Sequence, residues 1–205
     1  MKRPNRGLWH AASPAAQPCR AVSSDLPAPL HADWVWRAPA WCAALAIPPV
    51  RDGAEIAPGA KVFHDDPLAR IALGKPQPKD VPPVSLSLEL AAFAGSFLSI
   101  AVDLPPAALT GLRRRHIVQA DTCIGASGAE GVFLRLNLRH GPNTDRITQS
   151  IRPGTAQSAE FELFHTDFDE ARVTAAWIDL IVARPVPGPI VISDLIVSRR
   201  PRAEV

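Results

Sequence analysis

Val132-Phe133-Leu134-Arg135-Leu136-Asn137-Leu138-Arg139 alternates a branched aliphatic with a larger or polar residue at every step. A period of two belongs to a strand with one face in a core and the other toward solvent, because successive side chains point to opposite sides of an extended chain. The same period recurs on either side. Leu86, Leu88 and Leu90 alternate with Ser85, Ser87 and Glu89, and Leu98, Ile100, Val102 and Leu104 alternate with Phe97, Ser99, Ala101 and Asp103. Further strands are predicted over 116–124, 147–151, 159–165, 177–182 and 190–197, which makes about eight between residues 85 and 200. Pro105-Pro106 stops one of them and leaves room for a short helical turn over 107–112. Gly125-Ala126-Ser127-Gly128 and His140-Gly141-Pro142-Asn143-Thr144 have the chemistry of a turn and a loop. Asp167, with Glu170 three places on, predicts an N-cap and a short helix running to about Thr174. Short, closely spaced strands with little helix predict an all-β fold, a single β-sandwich of jelly-roll type with one or two short helices and an irregular N-terminal arm.

The first part of the chain has another character. Most of the 22 prolines precede residue 85, and proline blocks both continuous helix and interior strand. Residues 1–31 are expected to form a disordered or loosely packed arm, 32–84 a Trp- and Pro-rich extension packing on the sandwich, and 85–200 the sandwich core. Pro76, Pro78, Pro82 and Pro83 predict a stiff connection into the core.

With 47% apolar and 20% charged residues, the 205-residue chain has the balance of an ordinary globular protein. A formal net charge of +2 is too small to suggest a nucleic-acid partner. The basic runs Arg113-Arg114-Arg115-His116 and Arg199-Arg200-Pro201-Arg202 read as solvated strand ends or, alternatively, as an anion contact. Cys19, Cys42 and Cys123 are odd in number and widely spaced, against a disulfide framework or zinc knuckle; Cys123, in an apolar stretch, is expected in the core. The longest uncharged apolar stretches, 38–50 and 90–102, fall short of the about 20 residues a spanning helix needs, so no membrane insertion is expected. His10, Pro14 and Pro18 interrupt any signal-like apolar segment, which leaves the cytoplasm as the default expectation.

No catalytic motif is present, and a non-enzyme is expected. Gly125-Ala126-Ser127-Gly128-Ala129 lacks the glycine spacing of a nucleophile elbow and is followed by another strand. No phosphate-binding glycine loop occurs, and no cofactor is implied. His165-x-Asp167 opens a facial metal triad, yet no histidine follows it, and His64-Asp65-Asp66 would have to complete it through the fold. Asp167, Asp169 and Glu170 suit helix capping, or a structural calcium; no metal site is expected. Asp65, Asp66, Glu160, Glu162 and Asp179 carry carboxylates but nothing that sets them across a cleft.

The polar row Arg135, Asn137 and Arg139 shares one strand face, with His140 and Asn143 at its end. Guanidinium forks and an amide can bind sugar hydroxyls or carboxylates, and Trp34 and Trp36, on one side of an extended segment, together with Trp41, can stack on sugar rings. Two plainer readings compete. The arginines can pair with Glu160 and Glu162 on a neighbouring strand, and the tryptophans can plug an open end of the sandwich.

Five segments, taken together, carry a resemblance: Asp33-Trp34-x-Trp36-Arg37, Phe63-His64-Asp65, Gly95-Ser96-Phe97-Leu98-Ser99, Arg135-x-Asn137-Leu138-Arg139-His140-Gly141-Pro142-Asn143-Thr144, and Asp194-Leu195 leading into Ser198-Arg199-Arg200-Pro201-Arg202. They resemble an uncharacterised family of domains of unknown function found in alphaproteobacteria, over roughly residues 32–204. That family has no assigned activity, so the resemblance implies no catalytic residue. At a coarser level Trp177-Ile178-Asp179-Leu180 and Ile192-Ser193-Asp194-Leu195 resemble galactose-binding-like carbohydrate modules, which implies a fold more than a ligand. The expected function is a non-catalytic binding module, with a glycan as the preferred ligand through Arg135, Asn137, Arg139, His140, Asn143, Trp34 and Trp36. The alternative is a structural or assembly protein that binds another protein through the sandwich face or the arm.

Overall fold

The structure, a computed structural model, describes residues 29–38, 50–74 and 85–203. Twelve strands and one short helix follow in chain order: β1 (Trp34–Arg37), β2 (Glu55–Ala57), β3 (Ala60–His64), β4 (Arg70–Gly74), β5 (Ser85–Ala92), β6 (Phe97–Asp103), α1 (Pro106–Leu109), β7 (His116–Ala126), β8 (Gly131–His140), β9 (Asn143–Ile151), β10 (Ala156–Glu162), β11 (Val173–Ala183) and β12 (Gly188–Pro201). They form two antiparallel sheets. Sheet A runs β10-β7-β12-β5-β4, with β1 also on β12; sheet B runs β2-β3-β6-β11-β8-β9. Their alternating apolar residues meet in one core: Phe161, Ile124, Ile192, Val197 and Leu88 from sheet A, and Leu134, Leu136, Ile178, Leu180, Ile100 and Val62 from sheet B. Each such side chain taken out of water contributes about 1.5–3 kcal/mol, and that burial holds the layers together. The fold is a β-sandwich of jelly-roll type.

The eight strands expected after residue 85 are all present, several longer than the alternation indicated. Residues 32–84 supply β1 to β4, which join both sheets. Trp41, Cys19, Cys42, the proline run 76–83 and nearly all of residues 1–31 lie outside the described residues.

Three expectations are corrected. The loop over 140–144 is only a Gly141-Pro142 turn, and Asn143 already opens β9 opposite His140. Gly141 takes φ +54°, the positive φ that a two-residue hairpin requires at its first turn position. No helix starts at Asp167. A 3-10 turn over Leu163–His165 is followed by a turn in which the Asp169 carboxylate accepts the Ala171 N–H and the Asp169 carbonyl that of Arg172. Phe168 is buried there, which draws the segment onto the core instead of letting it coil. Cys123 lies on the outer face of sheet A, partly exposed, in register with Ala156 and Ser193.

Strand β12 holds sheet A together. Along one edge it pairs with β7 throughout; along the other it pairs with β5 over 188–193 and then with β1 over 196–199. A bulge at Asp194 marks the change of partner. Asp194 takes φ +58°, its carbonyl accepts the Thr122 hydroxyl at 2.7 Å, and its carboxylate meets Arg37 at 2.9 Å. The extra residue resets the alternation so that Val197 and Arg199 still face inward.

Arg199 is a second fastening. Nearly buried, it donates to Asp33 through Nε at 2.9 Å and to the carbonyls of Ala108 and Thr110 through Nη1 at 3.0 and 2.9 Å, tying β1 and α1 to β12. Beside it, His116 is buried, accepts the Arg113 N–H on Nδ1 at 2.9 Å and has Nε2 3.5 Å from Asp33. Burial pushes the His116 imidazole below its ordinary value and the Arg199 charge acts in the same direction, against the Asp33 carboxylate.

Two outcomes follow for stability. Asp194→Val should lower the unfolding free energy more than Asp194→Gly, by about 1–2 kcal/mol, the cost of a left-handed conformation for a residue with a Cβ; urea denaturation of the pair measures it. Because the folded His116 pKa is depressed, its contribution is complete above the ordinary pKa of about 6.5 and is lost as pH falls through the lower folded value. Wild type should therefore lose more stability than His116→Asn between neutral pH and pH values below about 6, measured by denaturation at each pH.

Candidate functional site

Strand β8 turns Arg135, Asn137 and Arg139 to the outer face of sheet B, as the alternation predicts. Register supplies their neighbours. On β11, Asp179 stands beside Arg135, Trp177 beside Asn137 and Ala175 beside Arg139. One strand further, on β6, Ala101 is opposite Asp179 and Asp103 opposite Trp177. On β3, Lys61 and Phe63 follow, opposite Ala101 and Ser99. Ala101, Ala175 and Gly59 are too small to fill the sheet surface between these larger side chains. A groove of about 450 Å³ results, with Trp177, Arg139, Asp103, Lys61 and Phe63 around it.

The polar row divides into a structural part and an available part. Asp179 is buried, and its Oδ2 accepts Arg135 Nε at 2.9 Å, Arg135 Nη2 at 2.8 Å and Asn137 Nδ2 at 2.9 Å. Burying that carboxylate without donors would be costly, so Arg135 and Asn137 are spent on it; Asn137 is itself buried. Arg139 differs: it is exposed, and its guanidinium lies over the Trp177 indole, 5.5 Å from the ring centroid, within cation–π reach. The pairing of Arg135 and Arg139 with Glu160 and Glu162 does not occur. Glu160 pairs with Arg200 and Glu162 with Arg202, on sheet A.

The other expected site residues are elsewhere. His140 points inward, is buried, and accepts the Asp169 N–H on Nδ1 at 3.3 Å, with Asp145 3.4 Å from Nε2. Asn143, exposed, sits across from it in the hairpin. Trp34 and Trp36 stack on each other, centroids 6.5 Å apart, and pack on the core from sheet A. Trp34, α1 and Leu112 close one end of the sandwich, where the enclosed space is only about 10 Å³. The structure thus gathers Arg135, Asn137 and Arg139 but not His140, Trp34 or Trp36.

The carboxylate motifs are also accounted for. Asp65 accepts the Ser96 hydroxyl and the Ser96 N–H at 2.8 Å, bonds that hold its carboxyl below the usual range, the hydroxyl foremost. Asp66 accepts the N–H groups of Leu68 and Ala94. A Cβ at Gly95 would meet the Asp65 carboxylate, so a larger residue there would have to displace that side chain from its bonds to Ser96. Glu170 bridges the Arg114 N–H and the Arg113 guanidinium, and its carboxyl is lowered chiefly by the backbone bond. Among the described residues no three His, Cys, Asp or Glu side chains are grouped to hold a metal.

A model of a family of unknown function, DUF6478, matches residues 3–205. The chain belongs to this family. No curated protein matches the DUF6478 chain. Solved structures match at low identity. A family 11 carbohydrate-binding module from Clostridium thermocellum, in complex with a β-1,3-1,4-mixed-linked tetrasaccharide, is 13% identical over 77% of this chain and 97% of that one, with TM-score 0.45. The C-terminal family 22 carbohydrate-binding module of Clostridium thermocellum Xyn10B is 11% identical over 73% and 90%, TM-score 0.41. A cyclase from Fischerella sp. TAU is 15% identical over 72% and 87%, TM-score 0.44.

Sequence reasoning missed Trp177, Lys61 and Asp103 as neighbours of Arg139. The alternation Trp177-Ile178-Asp179-Leu180 already puts Trp177 and Asp179 on one face. What it cannot give is the strand beside it. If Asp179 is the buried anchor of the row, Asp179→Ala should destabilise the protein by about 2 kcal/mol, as loss of charged hydrogen bonds does. Arg135→Ala, which leaves the buried carboxylate with Asn137 as its remaining side-chain donor, should cost at least as much, and the two losses should be strongly non-additive in a double-mutant cycle read by chemical denaturation.

Proposed function

We propose that this protein is a non-catalytic binding module whose ligand is a carbohydrate held in the groove on the outer face of sheet B. The observation that carries the reading is that Trp177, half-buried, and the exposed Phe63, Arg139, Lys61 and Asp103 line that groove together. A sugar ring offers an apolar C–H face and an edge of hydroxyls. An aromatic side chain suits the first, and charged donors and an acceptor suit the second. From strand spacing and rise, the Cα atoms of Trp177 and Phe63 are roughly 16 Å apart, diagonally across three strands. Two aromatics so separated suit an extended chain of sugars better than a single ring. The groove lies on a hydrogen-bonded sheet, a rigid support that reduces the ordering cost of binding.

A glycan array probed with the purified protein tests this directly. Saturable binding is expected, weakened about tenfold or more in Trp177→Ala and unchanged in Trp36→Phe, whose ring packs on the core away from the groove. No binding across a broad array would overturn the carbohydrate reading and turn the search to protein partners.

A further inference from the structure

We infer that the groove selects acidic glycans, polymers whose sugar rings carry a carboxylate or sulfate. This rests on the carbohydrate reading of the same groove and adds the ligand's charge. Lys61 and Arg139 line the groove, and Arg146 stands next to it on β9, opposite Asn137. All three are exposed. Among the described residues none of them has a carboxylate within ion-pair distance, whereas Arg135, Arg200 and Arg202 are neutralised by Asp179, Glu160 and Glu162. Asp103 is the one acidic residue in the lining. Glu55 on β2 stands opposite Lys61, and its carboxylate accepts the Gly59 N–H. Lys61, Arg139 and Arg146 against Asp103 and Glu55 leave the groove a net excess of one positive charge.

The geometry of Arg139 makes the excess selective. Its guanidinium is planar, with donors around the edge and none on the faces. One face rests over the Trp177 indole, which limits the rotamers of a long side chain while leaving the donor edge without an acceptor among the described residues. A carboxylate or sulfate takes two parallel N–H bonds from such an edge. A hydroxyl takes weaker neutral ones. Lys61, across Ala101 from Asp179, supplies a second cation, and Asp103 can accept from ring hydroxyls.

Titration calorimetry with four polymers decides the matter: polygalacturonate, its carboxyl-reduced derivative, dextran sulfate and dextran. Expected is binding to a charged polymer at least about tenfold tighter than to its neutral counterpart, weakening as salt is raised. Whether polygalacturonate or dextran sulfate binds tells a carboxylate from a sulfate ester. Arg139→Ala should weaken the charged polymer about tenfold or more and Lys61→Gln less. Arg115→Ala, in the basic run at the start of β7, should change nothing. Equal affinity for charged and neutral polymers, or binding only to neutral glycans on an array, would overturn the charge selectivity and leave the carbohydrate reading standing. An equal loss in Arg115→Ala and Arg139→Ala would also overturn it, since attraction would then be diffuse. Absence of binding to every glycan would remove both.

Discussion

Strand β12 must satisfy two partners along a single edge, and the bulge at Asp194 is what lets it do so. Before the bulge the edge belongs to β5 and after it to β1. Without the inserted residue, the inward alternation set by Ile190 and Ile192 would continue out of phase, placing Val197 and Arg199 on the solvent side. Trp34 and Trp36 would then lose the surface they pack on, and Arg199 could no longer reach the carbonyls of α1. The positive φ at Asp194 is a local strain held in place by Arg37, Thr122 and the β7 ladder. One end of the sandwich is closed, and sheet A is complete, because that strain is compensated.

The motif segments are complementary halves of structural contacts. Asp33-Trp34-x-Trp36-Arg37 meets Asp194-Leu195 and Arg199 across the β1–β12 ladder, through the pairs Asp33–Arg199 and Arg37–Asp194. Asp65 meets Ser96 and Phe97 at the start of the β3–β6 ladder. Arg135 and Asn137 meet Asp179 across β8 and β11. In each case polar residues far apart in sequence satisfy one another at a strand junction, where an unpaired group would cost more than the bond gains. The most distinctive residues of the chain are in large part those that specify which strands adjoin.

This explains what could be read in advance. Hydrophobic period marks a strand and its faces, so the eight strands after residue 85, the sandwich and the shared face of Arg135, Asn137 and Arg139 were legible. Neighbour relations are not in the period. Nothing local says that β11 lies between β8 and β6, so Asp179 as the partner of Arg135 and Trp177 as the partner of Arg139 could not be assigned. The short strands β2 to β4 were hidden by prolines and by lengths near the minimum for a readable alternation. Asp167 failed as a helix start because burial of Phe168 and the Asx turn at Asp169 outweighed a local capping preference.

The consequence is a division between the sheets. On sheet A Glu160 pairs with Arg200 and Glu162 with Arg202, while on sheet B Arg139, Lys61 and Arg146 have no ion pair among the described residues, around a groove floored by Ala101 and Ala175. That sheet B is the binding face is tested most directly by hydroxyl-radical footprinting of the protein with and without its best array ligand, read residue by residue by mass spectrometry. Protection of Trp177 and Phe63, with Trp34, Trp36 and Cys123 unchanged, is the expected result. Protection confined to Cys123 and Ser158 on the outer face of sheet A, with Trp177 as reactive as before, would contradict it.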